Sequence, residues 1–249
     1  MENKGIRLAA AVALLVLLIP ISQKWWNFIN SYNEEEKTTP EDQLAEEYKS
    51  YYENCPLKFI YNPDQTAEII KDDSYATLST IKIPPKVIHD SITYTITKIE
   101  DNAFHDCMKL TSVTIPNTIK TIGTEAFDNC WGLKKISIPQ SVTTIGDNAF
   151  RACSGLTEVT IPTNVTNLGM QVFAYCDGLK KVTINTPTTG QKTFYHCHNL
   201  ETIELSSYTT EIGYESFALC PNLLSLNIPS SVTNISERAF ANSFFPHHE

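Results

Sequence analysis

Six of the seven cysteines, Cys107, Cys130, Cys153, Cys176, Cys197 and Cys220, follow one another in steps of 23, 23, 23, 21 and 23 residues. A constant step marks equivalent positions in stacked units, whereas a small disulfide knot scatters its partners. Other residues fall into the same columns. Phe104, Phe127, Phe150, Phe173, Phe194, Phe217 and Phe240 stand three residues before each position, with Ser243 in the seventh cysteine's place. Leu110, Leu133, Leu156, Leu179, Leu200 and Leu223 form a third column.

After each leucine comes a short alternating run, as in Leu110-Thr-Ser-Val113-Thr-Ile115-Pro116 and Leu156-Thr-Glu-Val159-Thr-Ile161-Pro162. Apolar residues alternate with Thr, Ser, Lys or Glu, as a strand with one buried face requires. The 28 threonines fit exposed strand positions. A unit of about 23 residues cannot bury its own Leu, Val, Ile and Phe, but stacked neighbours cover one another in a continuous core. With strands about 4.8 Å apart, seven units make a rod on the order of 30 Å long.

The pattern of Leu-x-x-Val-x-Ile-Pro, then Ser-Val-x-x-Ile-Gly, then Ala-Phe-x-x-Cys resembles the BspA-like class of leucine-rich repeats over about 105–245. The resemblance implies a leucine-rich repeat solenoid of about seven repeats of ~23 residues, with a parallel β-strand ladder and short helical turns. It also implies an exported or cell-surface binding protein and carries no catalytic residues. Residues 55–102 look like an opening, capping β segment, in which Ile81-Lys-Ile83-Pro84 and Tyr94-Thr-Ile96-Thr-Lys-Ile99 are expected to build a strand pair. The array then occupies 103–245.

Three stretches depart from the pattern, one of them the unit after Leu200, which has Leu205-Ser206 for Ile-Pro and Tyr208 for Val. The unit from Leu179 to Leu200 lacks both the Ile-Pro pair and the Val-x-x-Ile segment, so a kink or bulge is expected there, opposite the main strands. The chain continues past Phe240 with Phe244-Phe245-Pro246 and without a clear polar cap, which solenoid ends normally need. The Phe pair could fold over the open end of a monomer; an end-to-end dimer is the alternative.

Leu8 to Ile21 is uncharged and almost wholly apolar, preceded by Lys4 and Arg7 and followed by Lys24, Trp25 and Trp26. Residues 6–29 as a helix reach roughly 36 Å, enough to span a bilayer. The Trp pair suits the interface, and the flanking charges place the N-terminus in the cytoplasm. The expectation is a signal-anchor helix over 1–29, an acidic stalk over 30–54, and the array outside the cytoplasm, at the cell surface or in the periplasm. A cleaved export signal is the alternative, although no A-x-A site closes the run.

Nineteen basic against 28 acidic residues give a net charge of −9, and residues 54–249 alone keep −5. Without a basic face the chain is not expected to bind nucleic acid. It holds no Gly-rich phosphate loop, no G-x-S-x-G elbow, no H-E-x-x-H and no C-x-x-C, so no enzyme activity and no cofactor are expected. His196-Cys197-His198 is the most metal-like cluster, but Cys197 belongs to the buried column and its sequence neighbours are expected to point differently from it, so no metal site is assigned. The cysteine column has two readings, disulfides or buried thiols, and the second suits a ladder of small apolar groups better.

The outward strand positions make the candidate ligand face. One column reads Ser112, Lys135, Glu158, Lys181, Thr202 and Ser225; the other reads Thr114, Ser137, Thr160, Thr183, Glu204 and Asn227. Lys135, Glu158 and Lys181 alternate in sign, which supports pairing between neighbouring strands. The same face offers many modest contacts to a protein or glycan ligand, the expected function being adhesion or recognition. An envelope scaffold without an external ligand is the competing reading.

Overall fold

The computed structural model describes residues 55–243; the expected span at 6–29, the stalk at 30–54 and the Phe244-Phe245 pair lie outside the described residues. Among the described residues no helix is long and apolar enough to cross a membrane. The chain opens with β1 (Phe59–Tyr61) and β2 (Thr66–Ile69), which pair antiparallel. A short 3₁₀ helix over Asp73–Thr77 leads to β3 (Thr80–Lys82), β4 (Lys86–His89) and β5 (Ile92–Ile99). The expected pairing of the Ile81 and Ile96 strands does not form. Instead β5 pairs with β4 and β2, while β3 pairs parallel with β6 (Ser112–Thr114) of the first repeat. The two strands belong to different ladders, β3 opening the first and β5 following β2 in the second, because the Pro84–Pro85 corner and the β4–β5 hairpin carry the chain from one side of the coil to the other.

The Leu-x-x-Val-x-Ile strands form the first ladder. After β3 and β6 it continues with β9 (Glu158–Ile161), β11 (Lys181–Ile184), β12 (Thr202–Leu205) and β14 (Ser225–Asn227). Pairing is parallel and superposes like residues, with Val159, Val182, Ile203 and Leu226 in one row. Between β6 and β9 the ladder is interrupted, and the strand of the second repeat makes only an isolated bridge, Ser112 to Lys135. The second ladder holds β2, β5, β7 (Thr121–Ile122), β8 (Thr144–Ile145) and β10 (Asn167–Leu168). It stops at the short unit, where Thr188 bridges Glu211, and resumes with β13 (Glu211–Ile212) and β15 (Asn234–Ile235). That interruption follows from the missing Val-x-x-Ile segment. Buried Thr186, Thr189 and Thr209 take the place of aliphatic residues there. Each is hydrogen-bonded: Thr186 to the Thr188 carbonyl, Thr209 to the Thr186 carbonyl, and Thr189 to the Gly213 amide.

The third side of the coil is not helical. Each expected Ala-Phe helix is a pair of turns closed by bonds three residues back, such as Cys107 N–H to the Phe104 carbonyl. A residue in the left-handed region stands two before and two after each Phe, as in Asn148 (φ 56°) and Ala152 (φ 55°) around Phe150. Such residues cannot continue a right-handed helix. They free alternate N–H groups to reach the next rung, as Phe104 N–H does to Ala126 and Phe127 N–H to Ala149.

Inside, the Phe column is one stack. Ring centroids from Phe104 to Phe240 are 5.0–5.6 Å apart and nearly parallel. Tyr75 heads it, 5.1 Å from Phe104, with its hydroxyl accepting the Lys58 N–H. Burial pushes that phenol up to about 12. The cysteines are free and the array's six are buried. Each thiol from Cys130 to Cys220 donates to the carbonyl of the preceding rung's Phe at 3.2–3.3 Å, and Ser243 does the same to Phe217 at 2.6 Å. The hydroxyl therefore replaces the seventh thiol without losing the bond.

Burial pushes the Cys107 thiol up to about 11 and Cys220 to about 12, and holds Cys153, Cys176 and Cys197 well above the ordinary range. Only the thiolate reacts. With a disulfide-exchange reagent at pH 8, the folded chain is expected to yield at most the half-buried Cys55, and all seven thiols once denaturant is added. Several fast thiols in the folded state, or fewer than seven after unreduced denaturation, would contradict the thiol ladder.

Candidate ligand-binding face

The alternation of each strand turns its Val and Ile inward and sends the intervening polar residues outward. Ser112, Thr114, Lys135, Ser137, Glu158, Thr160, Lys181, Glu204, Ser225 and Asn227 are exposed; Thr183 and Thr202 are half-buried. In-register pairing sets Glu158, Lys181 and Thr202 side by side, and Thr160, Thr183 and Glu204 beside them.

The charges do not pair along one column as the alternation of sign implies. Lys181 Nζ lies 2.7 Å from Glu204, diagonally across the ladder, and Thr183 donates to the same carboxylate at 3.0 Å. Lysine and then threonine hold the Glu204 carboxyl below the usual carboxylate range. Lys135 and Glu158 make no ion pair among the described residues, because their strands are not joined by ladder hydrogen bonds. The interruption opens a groove of about 430 Å³ lined by Ser137, Ile138, Gln140, Glu158, Thr160 and Lys181. The unpaired Glu158 carboxylate and the hydroxyls of Ser137 and Thr160 in its lining suit a polar ligand or a partner's side chains better than an apolar one.

The break in the second ladder opens another groove, of about 520 Å³, lined by Asp147, Met170, Thr188, Gln191, Glu211 and Tyr214. Met170 is 50% exposed there. Sequence reading did not point to this groove, although the short unit was the signal available.

The histidines point away from Cys197, as expected, but toward each other. His196 and His198 converge, with ring centroids 3.9 Å apart, and His198 Nδ1 lies 3.2 Å from Asp177 Oδ1. Cys197 between them points inward to the Phe173 carbonyl. A second cluster joins His105, Glu125 and Asp128. Asp128 is buried, faces Arg151 at 3.3 Å and His105 at 3.7 Å, and has its carboxyl raised by burial against the pull of the Arg151 guanidinium.

The two-ladder coil with its repeating Phe and Cys columns can be compared with known proteins. The description of the BspA type Leucine rich repeat region matches in six copies, over residues 45–138, 87–189 and 132–246. The chain belongs to this family. Among solved structures, this BspA-type array is similar in fold to the T. pallidum leucine-rich repeat protein, at 24% identity and a TM-score of 0.64, over 72% of this chain and 83% of that one. A leucine-rich repeat protein of Bacteroides capillosus is 30% identical over 52% of this chain and 94% of its own, with a TM-score of 0.47. A leucine rich cell surface protein of Faecalibacterium prausnitzii is 22% identical, covering 75% and 84%, with a TM-score of 0.32. No curated protein matches the chain.

Proposed function

We propose that this BspA-type protein is an exported binding protein, anchored in the membrane through residues 6–29, that uses the first-ladder face for adhesion or recognition of a protein or glycan at the cell surface. The observation that carries the reading is the groove lined by Glu158, whose exposed carboxylate makes no ion pair among the described residues; Lys135 is exposed and likewise without an ion pair on the same face. Unpaired charges on this face are available to a ligand, whereas the Lys181–Glu204 pair is already engaged. The apolar run and its flanking charges supply the anchor and put the array outside the cytoplasm.

Protease treatment of intact cells carrying an epitope after His248 tests the location. Loss of the epitope is expected, and protection until the envelope is permeabilised would favour the envelope-scaffold reading. Binding of the purified full chain to glycan arrays and cell surfaces tests the face. Neutralising Glu158 and Lys135 to Gln, which leaves the Lys181–Glu204 pair intact, is expected to weaken binding about tenfold or more, in line with about 1.4 kcal/mol per decade, with the melting curve unchanged. Unaltered binding would move the site to the Met170 groove or the turns.

A further inference from the structure

We propose that Asp177, His196 and His198 form a binding site for one zinc ion on the turn side of the array. His196 is the left-handed residue two places after Phe194 (φ 63°), and the bend it imposes sets its ring against that of His198 at 3.9 Å. Asp177 occupies the same column as His198 one rung earlier. Its carboxylate meets both the His198 ring, at 3.2 Å, and the His198 N–H, at 3.4 Å. One ligand atom from each of the three residues lies within 4.8 Å of the other two.

Zinc bonds of about 2.1 Å put neighbouring donors in a tetrahedron about 3.4 Å apart. The Asp177–His198 pair, at 3.2 Å, already has about that separation, and the other pairs lie within 4.8 Å. A second observation points to a ligand. His196 Nδ1 is buried and has no hydrogen-bond partner. A buried ring nitrogen ordinarily has one, so His196 keeps a nitrogen that no group of the described chain engages.

Two imidazoles and a carboxylate suit zinc and leave a fourth position for water. The partly exposed side chains of Asp177 and His198, 48% and 44%, put that position on the solvent side. Cys197 is excluded as a ligand, since its sulfur is inside and bonded to Phe173. The His105 cluster differs in that the Arg151 guanidinium already sits on Asp128, filling the cation's place.

The test is calorimetric titration of zinc into the full-length chain with His247 and His248 changed to Ala, which removes the adjacent pair near the chain's end. One zinc per chain is expected. His196→Ala and His198→Ala are each expected to weaken it about 10–100-fold or more, and His105→Ala to leave it unchanged. The alanines are compatible with the fold, because Ala152 holds the position equivalent to His196 at φ 55° and Ser154 stands in the column of His198. Cobalt in place of zinc is expected to give a tetrahedral visible spectrum without the sulfur charge-transfer band. No saturable zinc binding, binding indifferent to His196→Ala, or a sulfur band would overturn the proposal.

Discussion

Phe150→Ala is expected to cost about 3–5 kcal/mol and to lower Tm by on the order of 10 °C. Phe150 is fully buried between Phe127, at 5.2 Å, and Phe173, at 5.1 Å, and is within 3° of parallel to both. The loss therefore combines the apolar transfer and cavity terms with two stacking contacts, each worth roughly 0.5–1.5 kcal/mol in other proteins. In a quasi-one-dimensional array the stability of each rung depends on its interfaces with the next, so the mutation weakens two interfaces at once. Circular dichroism melting checks it, and an unchanged midpoint would refute the inward stack. Hydrogen exchange adds where the damage lies: the amides of the two flanking rungs are expected to lose protection before those around Phe217.

Gly146→Ala is expected to be as damaging, although it adds a single methyl. A Cβ at Gly146 would lie 2.5 Å from the Thr124 nitrogen, 2.7 Å from the Gly123 carbonyl carbon and 2.9 Å from the Thr124 Cα. All three are backbone atoms of the preceding rung and cannot swing aside, so the rungs must separate where they hydrogen-bond. Over-packing commonly costs about 1–3 kcal/mol, and this site belongs at or beyond the upper end. The column supports the argument: Gly123, Gly146, Gly169, Gly190 and Gly213 fill five successive rungs, while Glu100 and Ser236 stand at the two ends. Urea unfolding of Gly146→Ala against Ser236→Ala separates close approach from a general preference for small residues. A midpoint for Gly146→Ala equal to wild type would show that the rungs can part freely.

The columns of Phe, Leu and Cys, the inward Val and Ile and the disturbance at the short unit were legible because stacking repeats one environment, and a repeated environment selects a repeated residue. The break beside Lys135 was not. Lys134-Lys135-Ile136-Ser137-Ile138-Pro139 has the same alternation as its neighbours, and the loss of pairing lies in how the rungs are spaced. The left-handed positions were equally hidden, for Asn102 and Asn129 suggest them but Leu219 and Arg238 do not. Tyr75 was missed as head of the aromatic stack because it precedes the periodic region. On the candidate face, the outward positions followed from strand alternation, but the choice of Glu204 over Glu158 as Lys181's partner depends on a diagonal reach. The convergence of Asp177 with His198 needs two rungs superposed, and the tilt of His196 needs its positive φ.

The bond from each thiol to the earlier Phe carbonyl spans 26 residues where the repeat is 23 long, and 24 at Cys197, where it is 21. The span is always one turn plus three, whatever the length of that turn. Deleting or duplicating one whole unit of the gene therefore restores every such contact at the new junction. Recombination between copies can lengthen or shorten the coil without inventing a new interface. Only the two ends are tied to particular partners, Tyr75 at the head and the last Phe rung at the foot, so the interior is where copy number is free to vary.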